Sequence, residues 1–194
     1  MYDPDRVRSL QRPHGLPFRI GKLGHVVLNV RNVERSAHFY TEVLGFQISD
    51  VYPEEMVLGG MVFLRCNADH HGIALVGSME TEAANVELNH IAFEVGTLDE
   101  VVRAYEHLRR HRIEIDFAGR RRAGCQIAVE FRDPDNHRLE IYWGIDQIGS
   151  EGHVRPPSEW KGVRSLAEAI ADPVRGQDTT LHDPSLLGLV TGRV

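Results

Sequence analysis

The spacing of apolar residues along the chain changes period several times, and each change marks an element. Residues 23–30 form a β-branched run that ends at the polar Arg31-Asn32 and reads as a strand. Asn32 stands where a helix N-cap belongs. Val33, Ala37, Tyr40 and Val43-Leu44 then recur at helical spacing until Gly45 closes the element. Strand signals follow over 46–51, 61–66 and 72–76, so the order is strand, helix, three strands. The same order returns further on. Residues 88–95 repeat the first strand, and 98–110 repeat the helix, with Asp99 and Glu100 in its first turn and basic residues in its last. Strands over 113–118, 126–131 and 139–143 complete the copy. One offset of 65 residues carries His25 onto His90, Tyr40 onto Tyr105 and Leu75 onto Glu140, a register that chance would rarely hold across two loops.

The repeat predicts an α+β domain over residues 21–145, built from two tandem βαβββ modules at 21–80 and 86–145. Residues 1–20 show no sustained period and read as an N-terminal arm, whose Phe18-Arg19-Ile20 is expected to add a strand. Residues 146–194 form a C-terminal extension. A short helix capped by Ser165 is expected there, and the remainder, rich in Gly, Pro and Asp, is expected to wrap rather than to form a core.

Charge and composition narrow the partners. With 22 basic against 28 acidic residues and a net charge of -6, the chain lacks the basic face that a nucleic acid or an anionic membrane would need. Cys66 and Cys125 are the two cysteines and give no disulfide framework, which points to a reducing compartment. The acidic start has no apolar run after it, and no stretch of about 18 apolar residues appears. A soluble, cytoplasmic protein is the expectation.

The candidate chemistry is a histidine pattern. His70 and His71 stand at the entry to the apolar run Ile73-Ala74-Leu75-Val76, which Gly72 and Gly77 bound. Strict alternation groups His71 with Ile73 and Leu75, and His70 with Ala74. Two modules facing each other across a pseudo-two-fold would bring His25, His90, Leu75 and Glu140 to four equivalent inward positions. Three of these, His25, His90 and Glu140, can ligate a metal. Two imidazoles and one carboxylate with open positions suit non-heme Fe(II), which leaves room for an organic substrate and dioxygen. Leu75 would keep the fourth side apolar.

The residues also carry a resemblance. Gly24-His25-Val26-Val27, Phe39-Tyr40-Thr41-Glu42-Val43-Leu44-Gly45-Phe46, Cys66-Asn67-Ala68-Asp69-His70-His71, Asn89-His90-Ile91-Ala92-Phe93-Glu94-Val95, Asp133-Pro134-Asp135-Asn136-His137-Arg138-Leu139-Glu140 and Tyr142-Trp143-Gly144 resemble the catalytic domain of type I extradiol ring-cleavage dioxygenases. These belong to the vicinal oxygen chelate superfamily, and the likeness is to their dihydroxybiphenyl and catechol 2,3-dioxygenase branch in a one-domain form. The resemblance implies a barrel-like cup of two modules, Fe(II) held by His25, His90 and Glu140 with Mn(II) as the alternative ion, and His71 as the active-site acid/base. It also implies a small vicinal diol and dioxygen as substrates, ring cleavage next to the diol, and a homo-oligomer. Two positions depart from the pattern. Glu130 stands where the family has a substrate-contacting Tyr, and Arg121 where it often has a His near the metal-bound hydroxyl. Glu130, Arg121, Tyr142 and His70 are therefore candidate substrate-binding residues, and Arg120 to Arg122 candidate partners for a substrate carboxylate. The departures keep open a non-redox metalloenzyme of the superfamily, such as a glyoxalase-like isomerase or an epimerase. A metal-free binding or resistance protein on the same fold is a further alternative.

Overall fold

The structure, a computed structural model, describes residues 3–11, 22–78, 80–85, 88–148 and 154–192. The strand expected at Phe18-Arg19-Ile20 lies outside these residues. After a short helix α1 (Pro4–Arg8) the first module runs β1 (Val26–Asn29), α2 (Val33–His38), β2 (Gln47–Tyr52), β3 (Met61–Arg65) and β4 (Ile73–Val76). The second runs β5 (Ile91–Glu94), α3 (Leu98–Arg110), β6 (Ile115–Arg120), β7 (Ile127–Arg132) and β8 (Arg138–Trp143). Each makes its own four-stranded sheet, in the orders β1-β4-β3-β2 and β5-β8-β7-β6. First and last strands pair in parallel and the other pairs are antiparallel, as two copies of one βαβββ path require.

Both module helices begin where the sequence places them, and each start is capped. Asn32 accepts a hydrogen bond from the Arg35 amide at 2.8 Å, and Thr97 and Glu100 close a reciprocal capping box on α3. The first helix does not end as an ordinary α-helix. From Phe39 to Val43 it widens into a π-helical turn, with the Leu44 amide bonded to the Phe39 carbonyl at 3.3 Å. The widened turn directs Tyr40 into the protein, where it is fully buried and donates its hydroxyl to Asp133 at 3.1 Å. Burial, reinforced by Asp133, holds the phenol well above its usual pKa.

This contact joins the modules. Beside it, the buried Asp135 carboxylate accepts from the Ser36 hydroxyl at 2.6 Å, from the Arg31 amide and side chain at 3.0 Å each, and from Arg35 at 2.6 Å. Phe46 meets Phe93 edge-on with centroids 5.6 Å apart, and His107 on α3 lies 3.0 Å from the Val43 carbonyl. Phe93 belongs to the same sheet face as Leu139 and Ile141, the face that α3 covers. The two modules thus meet through their helix-bearing sides.

The extension does more than wrap. A 3-10 turn at Pro157–Glu159, helix α4 (Leu166–Ala171), a second 3-10 turn at Pro184–Leu186 and helix α5 (Leu187–Thr191) follow β8, and α4 starts at Ser165 as the sequence predicts. Leu166, Ala169, Leu181 and Leu186 enter the core beside Leu98, Val101 and Val102, so part of this segment packs as core where the sequence suggested a cover. Asp99 accepts from the His182 and Asp183 amides at 2.9 Å each. Arg120 and Val163 exchange backbone hydrogen bonds of 3.0 and 3.1 Å at the β6 edge. The approach is so close that a Cβ on Gly119 (φ +151°) would lie 2.2 Å from the Val163 carbonyl oxygen. Gly119→Ala is therefore expected to destabilise the protein by about 2–3 kcal/mol, measured as a lower denaturant midpoint; an unchanged midpoint would mean that the extension does not need this contact.

Candidate functional site

The core residues Leu139, Ile141, Val129 and Phe131 occupy the helix-facing side of the second sheet. Alternation then puts a different set on the opposite side. In register across the strands stand Ala92 on β5, Glu140 on β8, Glu130 on β7 and Phe117 on β6. Of these, Glu140 and Glu130 border a cleft of about 600 Å³ that also takes in His90, Arg121 and Gln126.

Within the cleft His90 Nε2 lies 3.3 Å from Glu140 Oε2. The other imidazole nitrogen, Nδ1, is 2.8 Å from the Asn89 side-chain oxygen, which fixes the ring and leaves Nε2 turned toward the carboxylate. An outer hydrogen bond of this kind orients metal-ligating histidines. Gln126 donates to the second Glu140 oxygen at 3.4 Å. Glu140 is only 2% exposed. Burial pushes its pKa up, with Glu130 adding to the effect and Gln126, His90 and Arg121 opposing it. A buried carboxylate beside a histidine and a second carboxylate calls for a cation, so this pair fits a divalent metal. Glu130 itself is taken by Arg121, whose Nε lies 2.6 Å from it and whose NH2 group also bonds to it.

The other candidates gather elsewhere. His25 and His71 lie with ring centroids 4.5 Å apart and planes tilted by 48°, and His71 meets Phe63 at 5.0 Å. His70 and His71 approach to 3.0 Å between their Nδ1 atoms. Burial, with smaller contributions from His25 and His70, lowers the His71 pKa. The strand starts at Ile73, so alternation does not extend back to His71: Ile73 and Leu75 face the core, whereas His71 lies against Phe63 and His25. His70 joins this same group through Phe63 at 5.7 Å; Phe63 pairs with Ala74, the residue with which alternation groups His70.

Register corrects one further expectation. Val27 pairs with Ala74, and its counterpart Ala92 pairs with Glu140. Ala74, not Leu75, therefore holds the ladder position equivalent to Glu140, because one extra residue between β5 and β8 shifts the offset. Both positions are fully buried. Tyr142 shares the Glu140 side of β8, opposite Glu94, but does not border the cleft. Arg120 is inward-facing and 1% exposed, donating to the backbone carbonyls of Ala169, Asp172 and Lys161. It is an anchor for the extension and not a ligand-binding group. Among the described residues, no three His, Cys, Asp or Glu side chains converge closely enough to hold a metal ion. One chain brings together His90 and Glu140, and separately His25 and His71. Sequence reasoning missed Asn89, Gln126 and Phe117. Asn89 carries a signal in its adjacency to His90, while the other two become significant only through strand register.

The comparisons with known proteins bear on family and fold. Residues 22–141 match the model of the Glyoxalase/Bleomycin resistance protein/Dioxygenase superfamily. The chain is 32% identical over 150 residues to the 3-methylcatechol 2,3-dioxygenase of Pseudomonas putida, a match covering 73% of this chain and 49% of that protein. It is 27% identical over 175 residues to an iron-dependent extradiol dioxygenase of Rhodococcus jostii, covering 84% and 55%. It thus spans about half the length of these curated relatives. Its fold resembles that of a glyoxylase/bleomycin resistance protein/dioxygenase domain from Frankia sp. EAN1pec, with a TM-score of 0.56 and 21% identity over 65% of this chain and 99% of that one. With two βαβββ sheets and a family match that spans both of them, the chain belongs to the glyoxalase/bleomycin resistance protein/dioxygenase superfamily.

Proposed function

We propose that the protein is an Fe(II)-dependent extradiol dioxygenase, with Mn(II) as the alternative ion, that opens the ring of a small aromatic vicinal diol with dioxygen in the cytoplasm. The observation that carries this reading is the His90–Glu140 pair, oriented by Asn89 and Gln126 in a cleft of about 600 Å³. The bound metal would supply a common centre for the diol oxygens and dioxygen.

One chain provides two of the three expected donors. His25 is flanked by exposed Leu23 and Val27, and His90 follows exposed Leu88, so apolar surface surrounds both halves. The expected homo-oligomer thereby gains a role: His25 of a second copy completes the site on His90 and Glu140, and brings His71 with it. His71 is then the acid/base that handles the diol proton. Glu130, restrained by Arg121, offers a carboxylate acceptor to a substrate hydroxyl.

The test is anaerobic loading with Fe(II), exposure to a panel of catechols, and recording of oxygen uptake and yellow ring-opened product. Bound iron without uptake for any vicinal diol would remove the ring-cleavage reading. It would favour the second one, a non-redox isomerase or epimerase of the superfamily, for which Glu130 in the place of a tyrosine is the supporting feature. His71→Phe is expected to lower turnover about 10²- to 10⁴-fold while iron content stays unchanged; undiminished turnover would leave His71 a structural residue.

A further inference from the structure

A second cavity, of about 500 Å³, adjoins the first and shares Arg121 with it. Its floor is Phe117, and its walls come from Arg122 on the β6–β7 turn and from Gly162 to Arg164 of the extension. The Arg121 guanidinium lies 3.8 Å above the Phe117 ring and that of Arg164 lies 5.7 Å from it. The side chain of Arg122 runs along Gly162 so closely that a Cβ there would lie 2.8 Å from its Cγ. Arg121 is neutralised by Glu130, whereas Arg122 and Arg164 have no ion pair among the described residues. Two guanidinium groups over the ring and a third, Arg122, on the cavity wall, with Glu130 as the one carboxylate paired to them, leave a local excess of positive charge that an anion would relieve. The extension is fixed in this place by the Arg120–Val163 bridge and by the buried Arg120, so Arg164 is presented on a rigid edge.

Distance sets the shape of the ligand. Glu140, Glu130 and Phe117 stand on three successive strands in register, which separates the metal end of the cleft from Phe117 by about 10 Å. A catechol ring with a short arm spans that length. We propose that Arg122 and Arg164, on two walls of the cavity floored by Phe117, form a subsite for the carboxylate of an aromatic-diol acid whose ring occupies the neighbouring cleft. This assignment rests on the ring-cleavage reading for the identity of the diol end. Arg121, tied to Glu130, braces the boundary between the two cavities.

Anaerobic calorimetry on the iron-loaded full chain, with dihydroxyphenylpropionate and the neutral propylcatechol as probes, tests the assignment. The acid is expected to bind at least about ten-fold more tightly, since a charge-assisted hydrogen bond is worth that much or more, and the preference should shrink as salt is raised. Arg122→Gln with Arg164→Gln should reduce the ratio of the two affinities to near unity, Arg164→Lys should retain part of it, and Arg109→Gln on α3 should not move it. Equal affinity of the wild-type protein for the two probes, failure of both to bind, or a ratio that survives the double substitution would each overturn the subsite. Tight, arginine-dependent binding of the acid with no oxygen uptake would leave the subsite in place and overturn ring cleavage instead.

Discussion

Mixed dimers of His25→Ala and Glu140→Ala chains, isolated through a different tag on each chain, are expected to hold iron in about half of their sites, although each variant alone holds little. If a site takes His25 from one copy and His90 with Glu140 from the other, a mixed pair contains one site with both lesions and one with neither. If every site lies within a chain, a mixed pair contains one lesion in each, and metal content stays at the level of the parents. The measurement is metal per protomer, so it does not depend on the reaction. The structural basis is the separation of His25 and His71 from His90 and Glu140, together with the helix-side contact between the modules, which leaves the sheet faces that carry Ala74 and Glu140 on the sides away from that contact. A protein that stays monomeric at every concentration and still binds one iron through all three residues would refute the shared site.

Asp135→Ala is expected to produce the largest loss of stability, about 2–4 kcal/mol, read as a drop in denaturant midpoint. The carboxylate is buried and receives four donors from Arg31, Arg35 and Ser36, and its removal leaves the Ser36 hydroxyl buried without a partner. The half-exposed arginines recover some hydration, which keeps the loss below that of a fully enclosed pair. The pH dependence follows from the sign of the shift. Burial alone would raise the Asp135 pKa, but the hydrogen bonds from Ser36, Arg31 and Arg35 outweigh it and hold the value below normal. The contribution is therefore fully present above the unfolded value near 4 and is lost as pH falls through the folded one. The gap between wild type and Asp135→Ala should be constant from pH 6 to 8 and close in acid; a gap that widened on acidification would contradict this origin.

The fold was legible because a βαβββ path repeats its pattern whenever its sequence is repeated: Asn32 and Thr97 both start helices, and His25 and His90 both precede first strands. Less legible was anything that depends on pairing across space. A constant offset of 65 assigns Leu75 to Glu140, but hydrogen bonding counts residues along each ladder and assigns Ala74. The repeat offset gives His25, His90 and Glu140 equivalent inward positions, while the pairing of Glu130 with Glu140 emerges only from the strand register. The offset cannot say where one module sits against the other, and for this reason the triad looked convergent within a chain. Three consecutive arginines read alike in the sequence. The extension, folding back onto β6, buries Arg120, leaves Arg121 to Glu130 and places Arg122 beside Gly162.

The π-helical turn at Phe39–Val43 makes the length of its segment a constraint in its own right. It accommodates one residue more than an α-turn would over the same rise, and this surplus sets how the chain after it is rotated. A chain one residue shorter between Phe39 and Gly45 would close the turn normally and swing the following residues by about 100° about the helix axis. Val43 would then leave His107, and Phe46 would leave Phe93. Substitution of the exposed Glu42 is a local event, but its deletion would act on the joint between the two modules.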